Sequence, residues 1–194
     1  MKSLMRLCCL VLALCLPAVA FAAPAPEVFV KGKQEEVHKL LKQTGGNNDP
    51  RIGAVLDELL DYDAFARDSL GDEWDKRSDA ERKKFSGLLK QLVQKSYRNG
   101  LKKTINYDID YKGGTKAEKG YLVRTVARSK KNAREEPISI DYLVHDVDGH
   151  WKIRDIVAEG SSTVSNYRNS FRRIIKKQGF EELIKKMETK LAKG

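Results

Sequence analysis

A segment near the C-terminus carries the most ordered pattern in the chain: WKIRDIVAEGSSTVSNYRNSFRRIIKKQGFEELIKKM, residues 151–187. Its first seven residues read as a short strand, and the hydroxyl cluster at residues 161–163 can cap a helix that follows it. Apolar residues then recur every three or four positions up to Gly179, a residue type that favours a helix end. A second apolar helical face follows Gly179. The segment therefore predicts one strand and two helices.

Period-two alternation precedes this segment and predicts an antiparallel meander. Asp148-Gly149 is a hairpin signal directly before the last strand, and we expect Gly113-Gly114 to turn the chain after the first. The four predicted strands lie at residues 107–111, 121–126, 138–144 and 151–157.

Helical patterns occupy the region before the strands. Asp49-Pro50 and the capping box Ser78–Glu81 mark two helix starts. The four helices are expected at residues 27–42, from residue 50, at residues 62–70 and at residues 79–101. Helices, then strands, then helices, without alternation, predict an α+β fold in which helices wrap a four-stranded antiparallel sheet. We expect residues 23–194 to form a single domain.

The N-terminus has the organisation of a cleavable signal peptide. Lys2 and Arg6 precede an apolar run at residues 7–16, and Ala20 and Ala22 are the small residues that a signal peptidase reads. The run is shorter than the ~20 residues that a membrane-spanning helix needs. We therefore expect residues 1–22 to be removed on export.

Charge and cysteine content narrow the function further. The cysteines Cys8, Cys9 and Cys15 all lie in the expected signal peptide, so residues 23–194 contain no disulfide. Loss of Lys2 and Arg6 lowers the net charge from +10 to +8, which fits an anionic partner. Nucleic acid is not expected, because export and the lack of a binding motif argue against it.

Catalytic and metal-binding patterns are weak. His38, His145 and His150 stand in unrelated contexts, so we expect neither a metal site nor a cofactor. Asp155 and Glu159 permit an acid–base pair, but a structural role is favoured, with Asp155 facing solvent and Glu159 bracing a turn. No catalytic residue is assigned, and the chain is not expected to be an enzyme.

The C-terminal segment also resembles a known family. It contains Val-Ala-Glu-Gly-Ser at 157–161, Asn-Tyr-Arg at 166–168, Phe-x-x-Ile-Ile at 171–175 and Gln-Gly-Phe-x-x-Leu-Ile-x-x-Met at 178–187. This order is similar to the C-terminal signature of the MlaC family of periplasmic phospholipid-binding proteins, also called the toluene-tolerance auxiliary family. The run Asp-x4-Ala-x3-Leu-Gly-x2-Trp at 61–74 resembles the family too, although Asp63 is a second candidate for its acid.

The resemblance implies a curved sheet wrapped by helices, like the cone-shaped fold of the nuclear transport factor and ketosteroid isomerase superfamily. It also implies a deep apolar pocket that holds acyl chains and leaves the headgroup outside. Residue types alone do not separate such a pocket from a filled core. The expected lining residues are Leu88, Leu92, Tyr97, Tyr121, Val123, Ile138, Ile140, Tyr142, Val144, Trp151, Ile153, Tyr167 and Phe171.

The function implied by the resemblance is a soluble periplasmic carrier of diacyl phospholipid. It would shuttle between an outer-membrane lipoprotein–porin complex and an inner-membrane MCE/ABC transporter complex, and so serve outer-membrane lipid asymmetry. Three alternatives stay open: a carrier of another lipid such as a hopanoid, an exported enzyme with Asp155 or His145 in the pocket, and a protein-binding adaptor. The adaptor would use a basic face formed by Arg168, Arg172 and Arg173.

Overall fold

The computed structural model describes residues 25–44 and 50–193. The expected signal peptide and the proposed helix cap Asp49 lie outside the described residues. The helices are α1 (Pro26–Thr44), α2 (Pro50–Leu59), α3 (Tyr62–Leu70), α4 (Asp79–Thr104), α5 (Thr163–Gln178) and α6 (Phe180–Ala192), with a 3₁₀ turn at Gly71–Glu73. The strands are β1 (Tyr107–Ala117), β2 (Gly120–Ser129), β3 (Ile138–Val147), β4 (His150–Ala158) and β5 (Ser161–Ser162).

The five strands form one curved antiparallel sheet in chain order. The predicted α+β class and meander are confirmed, whereas the expected number of four strands is wrong. Glu159 and Gly160 both adopt positive φ angles, of 49° and 72°, which reverses the chain tightly. Ser162 must then be extended to act as the N-cap of α5. The reversal therefore lays Ser161 and Ser162 beside the end of β4 as a fifth strand.

The predicted hairpin turn at Asp148-Gly149 is confirmed. Both residues have positive φ angles, of 53° and 82°, and they alone separate β3 from β4. This is the geometry of a two-residue hairpin that matches the twist of its strands.

The turn expected at Gly113-Gly114 is wrong, because β1 continues through it to Ala117. The pairing with β2 shifts between Tyr111 and Gly114, which identifies a β-bulge at this place. A bulge and a turn use the same glycine-rich sequence, since both need backbone that departs from a regular strand.

A second bulge interrupts β4. Ile153 and Asp155 pair with adjacent residues of β3, which leaves Arg154 as the extra residue. Beyond the bulge, the alternation of side chains is shifted by one position. Ile156 and Ala158 consequently face the same side of the sheet as Ile153.

The helix caps predicted at Ser78 and in the hydroxyl cluster before α5 are confirmed. The Ser78 backbone N–H donates to Glu81 Oε2 at 2.8 Å, and the Glu81 N–H donates to Ser78 Oγ at 3.3 Å. Ser162 Oγ accepts from the Ser165 N–H at the start of α5. At the start of α3, Asp61 Oδ1 accepts from the Ala64 N–H at 2.9 Å. Asp61, rather than Asp63, is therefore the structural acid at this helix start.

The helices cover one face of the sheet, here called the inner face, and they fill only half of it. Val123, Val144 and Ile153 have no exposed surface and belong to the main hydrophobic cluster with residues of α1, α2 and α3. We call this region the packed half. Leu60, at the end of α2, also bridges to Ile153, which ties the helices to the edge of β4.

Helices α4, α5 and α6 are joined by aromatic contacts. The Phe85 ring centroid lies 5.5 Å from that of Phe171 and 6.3 Å from that of Phe180. Within residues 25–44 and 50–193, no helix is both long enough and apolar enough to cross a membrane.

Replacing Gly120 by alanine should lower the free energy of unfolding by about 2 kcal/mol or more. Gly120 has a φ of 134°, and an added Cβ would lie 2.0 Å from the Val144 carbonyl oxygen. Gly113→Ala is the matched control, since its φ is 84° but no atom lies within 4 Å of the added Cβ. Gly113→Ala should lower the free energy of unfolding by only about 1 kcal/mol, because alanine is disfavoured in the left-handed backbone conformation. Equal losses in urea unfolding would contradict the clash.

Candidate functional site

A cavity of about 500 Å³ lies beneath the other half of the inner face, here called the open half. Its roof consists of sheet residues on β1, β2, β3 and β4: Ile109, Ala127, Ile138, Ile140 and Ile156. Phe65, Val93 and Tyr167 form much of its helical wall. Apolar side chains thus predominate around a volume typical of small-molecule sites.

The cavity lies beside exposed residues near the ends of α4 and β4. Ser96 and Gly100 of α4 and Ala158 of β4 line the cavity and are themselves exposed. Thr163, at the start of α5, lies on the same side. We call this region the mouth, because it gives solvent access to the cavity.

A histidine interrupts the apolar lining. His38 Nε2 shares a hydrogen bond of 2.8 Å with Thr104 Oγ1, which joins α1 to α4. Burial lowers the pKa of His38 below its usual 6.5, and the positive charges of Lys130 and Lys42 lower it further, while Glu35 opposes them. The imidazole is therefore mainly neutral at pH 7.

A polar bridge crosses the cavity at its other end. Gln34 of α1 donates its amide N–H to the Tyr142 hydroxyl and accepts from the Tyr111 hydroxyl. Burial raises the pKa of both phenols, so they stay protonated. We call these three residues the Gln34 bridge.

The structure brings five of the thirteen expected lining residues to the cavity: Tyr97, Ile138, Ile140, Tyr142 and Tyr167. The other eight are absent from the described lining. They are Leu88, Leu92, Tyr121, Val123, Val144, Trp151, Ile153 and Phe171.

Those eight residues pack elsewhere. Val123, Val144 and Ile153 belong to the packed half, and the Tyr121 and Trp151 rings contact each other with centroids 5.7 Å apart. Leu88, Leu92 and Phe171 pack in the hydrophobic cluster of the helices.

Comparison with known families identifies the chain. The sequence model described as "MlaC protein" matches residues 34–189, from α1 to α6. The chain belongs to the MlaC family. The resemblance of its C-terminal segment is thereby confirmed, and the match extends over most of the helices and the whole sheet.

A solved structure has a similar fold to this MlaC-family protein. It is the phospholipid-binding protein from Ralstonia solanacearum in complex with a phospholipid, with a TM-score of 0.74 and 22% sequence identity. The match covers 88% of this chain and 98% of that one. At this identity the likeness shows the fold. No curated protein matches the chain significantly.

Several lining residues of this MlaC-family protein were not expected. Gln34 and His38 are four residues apart on α1 and share one helical face, but a polar pair is an uncertain signal for a cavity. Ile156 and Ala158 reach the cavity only because of the bulge in β4, which side-chain alternation does not reveal. Ala127 is small and gives little pattern signal.

Asp155 and Glu159, the acids of the possible acid–base pair, have structural contacts. Asp155 Oδ1 accepts from the Ile156 and Val164 N–H groups, at 2.8 and 3.0 Å, and Oδ2 accepts from the Ser162 hydroxyl. Asp155 is thus partly buried and bonded, so the expectation that it faces solvent is wrong. Glu159 accepts from the Ser139 N–H, which braces the turn as expected.

The histidine of the enzyme alternative also lies apart from the cavity. His145 Nε2 lies 2.8 Å from Asp61 Oδ2, and both side chains are mostly buried. Neither His145 nor Asp155 belongs to the described lining. Among the described residues, no group of three His, Cys, Asp or Glu side chains could hold a metal ion.

The three arginines of the proposed basic face differ in their exposure to solvent. Arg168 Nε donates to the Asp68 carbonyl oxygen at 2.7 Å and is partly buried. Arg172 and Arg173 are exposed, and α5 carries no acidic residue. The exposed part of α5 is therefore positively charged.

Replacing His38 by glutamine should make folding stability less dependent on pH. The folded state holds the pKa of His38 below the unfolded value of 6.5, so the unfolded chain binds the proton more readily. The contribution of neutral His38 to folding stability is complete above pH 6.5 and is lost as the pH falls through the lowered pKa. Urea unfolding at about pH 8 and about pH 5 should show a larger decline for the wild type than for His38→Gln. Equal declines would contradict a buried neutral imidazole.

Proposed function

We propose that this protein is a carrier that binds phospholipid by enclosing acyl chains in the cavity. The observation that carries the proposal is the cavity itself, apolar over most of its lining and open at one end, in a chain of the MlaC family. The fold is shared with a protein whose structure holds a phospholipid. Binding and release are sufficient for this function, so no catalytic group is required.

The physical need for a carrier follows from the hydrophobic effect. Each methylene exposed to water costs about 0.8 kcal/mol, so a lipid does not cross an aqueous compartment freely. A lining of isoleucine, valine and aromatic side chains replaces water around the chains. The open mouth allows a polar headgroup to stay hydrated outside.

The proposed location is the periplasm. Residues 1–22 have the organisation of a cleavable signal peptide, and the family is periplasmic. We further propose that residues 23–194 form one lipid-binding domain, related to the cone-shaped fold of the nuclear transport factor and ketosteroid isomerase superfamily. Cleavage before Ala23 can be checked by intact mass spectrometry of the exported protein.

The deciding experiment is lipid analysis of the protein purified from the periplasm without detergent. We expect native mass spectrometry to show bound phospholipid, and lipid extraction to identify it. A folded, monodisperse protein that carries no lipid and takes up none from phospholipid vesicles would overturn the proposal. If a hopanoid or another lipid were found in place of phospholipid, the proposed cargo would be wrong but the carrier function would stand.

A tryptophan at Ile140 should obstruct the cavity and reduce bound lipid by about tenfold. Ile140 is on β3 and lines the cavity. Val126→Trp is the matched control, because Val126 is a partly buried residue on the opposite face of the sheet. Both variants should retain the helical circular dichroism spectrum. Equal lipid content in Ile140→Trp and Val126→Trp would show that lipid does not occupy this cavity.

We propose two protein partners: an inner-membrane MCE/ABC transporter complex and an outer-membrane lipoprotein–porin complex. The exposed positive charge of α5 supports docking to an acidic protein surface, because complementary charges steer association. The surface lies towards the end of α5 remote from the mouth, which begins near Thr163.

Reversing the charge of Arg172 and Arg173 to glutamate should weaken partner binding at least about tenfold and leave lipid content unchanged. Arg172→Lys with Arg173→Lys is the control that keeps the charge. Binding of each variant to the purified transporter complex can be measured at low and high salt. If lipid loading falls while docking is intact, the basic face serves the headgroup instead.

A further inference from the structure

The Gln34 bridge spans the inner face from β1 to β3, across β2. Tyr111 and Tyr142, its two anchors, stand on the strands that flank β2. Within β2, Thr125 pairs with Tyr111 and Val123 pairs with Tyr142. The amide of Gln34 thus lies over the segment of β2 that contains these two residues.

The boundary between the two halves of the inner face falls at this bridge. On one side, Ala127 and Ile140 line the cavity. On the other, Val123 and Val144 have no exposed surface and pack against the helices. Thr125, beneath the bridge, is 1% exposed and belongs to no part of the described lining. The cavity therefore ends where Gln34 crosses the sheet.

The bridge is also a firm barrier. Gln34 uses both ends of its amide, and each tyrosine is held by its own strand. An acyl chain could pass the bridge only by breaking these hydrogen bonds. The chain has no donor or acceptor to replace them, and the apolar surroundings make their loss costly.

We propose that the Gln34 bridge is the floor of the cavity and limits the length of acyl chain that the protein encloses. The inference rests on the proposed function, since it concerns how the same cavity selects its cargo. Gln34 is on this account a specificity-determining residue. Chains shorter than the limit bind with affinity that grows with length, and longer chains leave methylenes outside.

The limit is measurable with a homologous series. Each methylene that enters the cavity should raise affinity about fourfold, and methylenes in excess of the limit, which stay outside, should add nothing. Suitable probes are monoacyl phosphatidylglycerols with chains of about ten to about eighteen carbons, titrated as monomers by calorimetry. For the wild type we expect affinity to rise with chain length and then level off.

Gln34→Ala should move the limit to longer chains, with about fourfold tighter binding for each methylene that enters the vacated space. Alanine favours helix, so α1 should form in the variant. Glu35→Ala is the matched control, because Glu35 is the exposed neighbour of Gln34 on the same helix. Its limit should equal that of the wild type.

Ala127→Leu supplies an independent variant with the opposite effect. Ala127 lines the cavity on β2 and is 3% exposed, so a larger side chain there should shorten the accessible depth. We expect its limit to move to shorter chains. An unchanged limit in Ala127→Leu would show that the chain does not lie along the sheet, and would overturn the inference.

The outcomes separate this inference from the proposed function. If the wild type binds the probes but Gln34→Ala keeps the same limit, Gln34 is not the floor, although the carrier function stands. Affinity that rises through the whole series in the wild type would also overturn the floor. If the wild type binds no probe and purifies without lipid, the proposed function fails and the inference fails with it.

Discussion

The carboxylate of Asp155 fixes the wall of the cavity, and much of the structure depends on it. It accepts hydrogen bonds from the end of β4 and from the first turn of α5, which ties a strand to the helix that follows it. The Thr163 hydroxyl adds a bond to the Ile156 carbonyl oxygen at 2.8 Å. With these contacts α5 leaves the sheet at one angle, and Tyr167 lies under the open half. Loss of this anchor would remove the acceptor of two partly buried N–H groups, which is why a carboxylate fits the position better than an apolar residue.

Local signals in the sequence predict most of the fold. The capping box at Ser78, the hydroxyl cap at Ser162 and the two-residue turn at Asp148-Gly149 act within a few residues, and all three are observed. The β-bulges are different, because their position depends on pairing between strands that are distant in sequence. Gly113-Gly114 consequently reads as a turn although it forms a bulge.

The cavity was harder to predict than the fold, because a filled core and a cavity use the same apolar residue types. Val123 and Ile140 alternate identically along their strands, yet one is packed and the other lines the cavity. The difference arises from what faces them. Small residues such as Ser96, Gly100 and Ala158 surround the open half, so the facing side chains do not meet. The sequence does not show that these small residues lie close together, because this depends on how the helices and the sheet pack.

The two edges of the sheet affect whether copies of the chain associate with each other. An unpaired strand edge invites a second copy to add a strand, and an open apolar cavity would reinforce such an association. The β4 edge is occupied by Leu60 and by the two residues of β5. The β1 edge is interrupted by its bulge and carries the charged side chains of Asp110 and Lys112. Both margins thus disfavour the addition of a strand from a second copy of the chain.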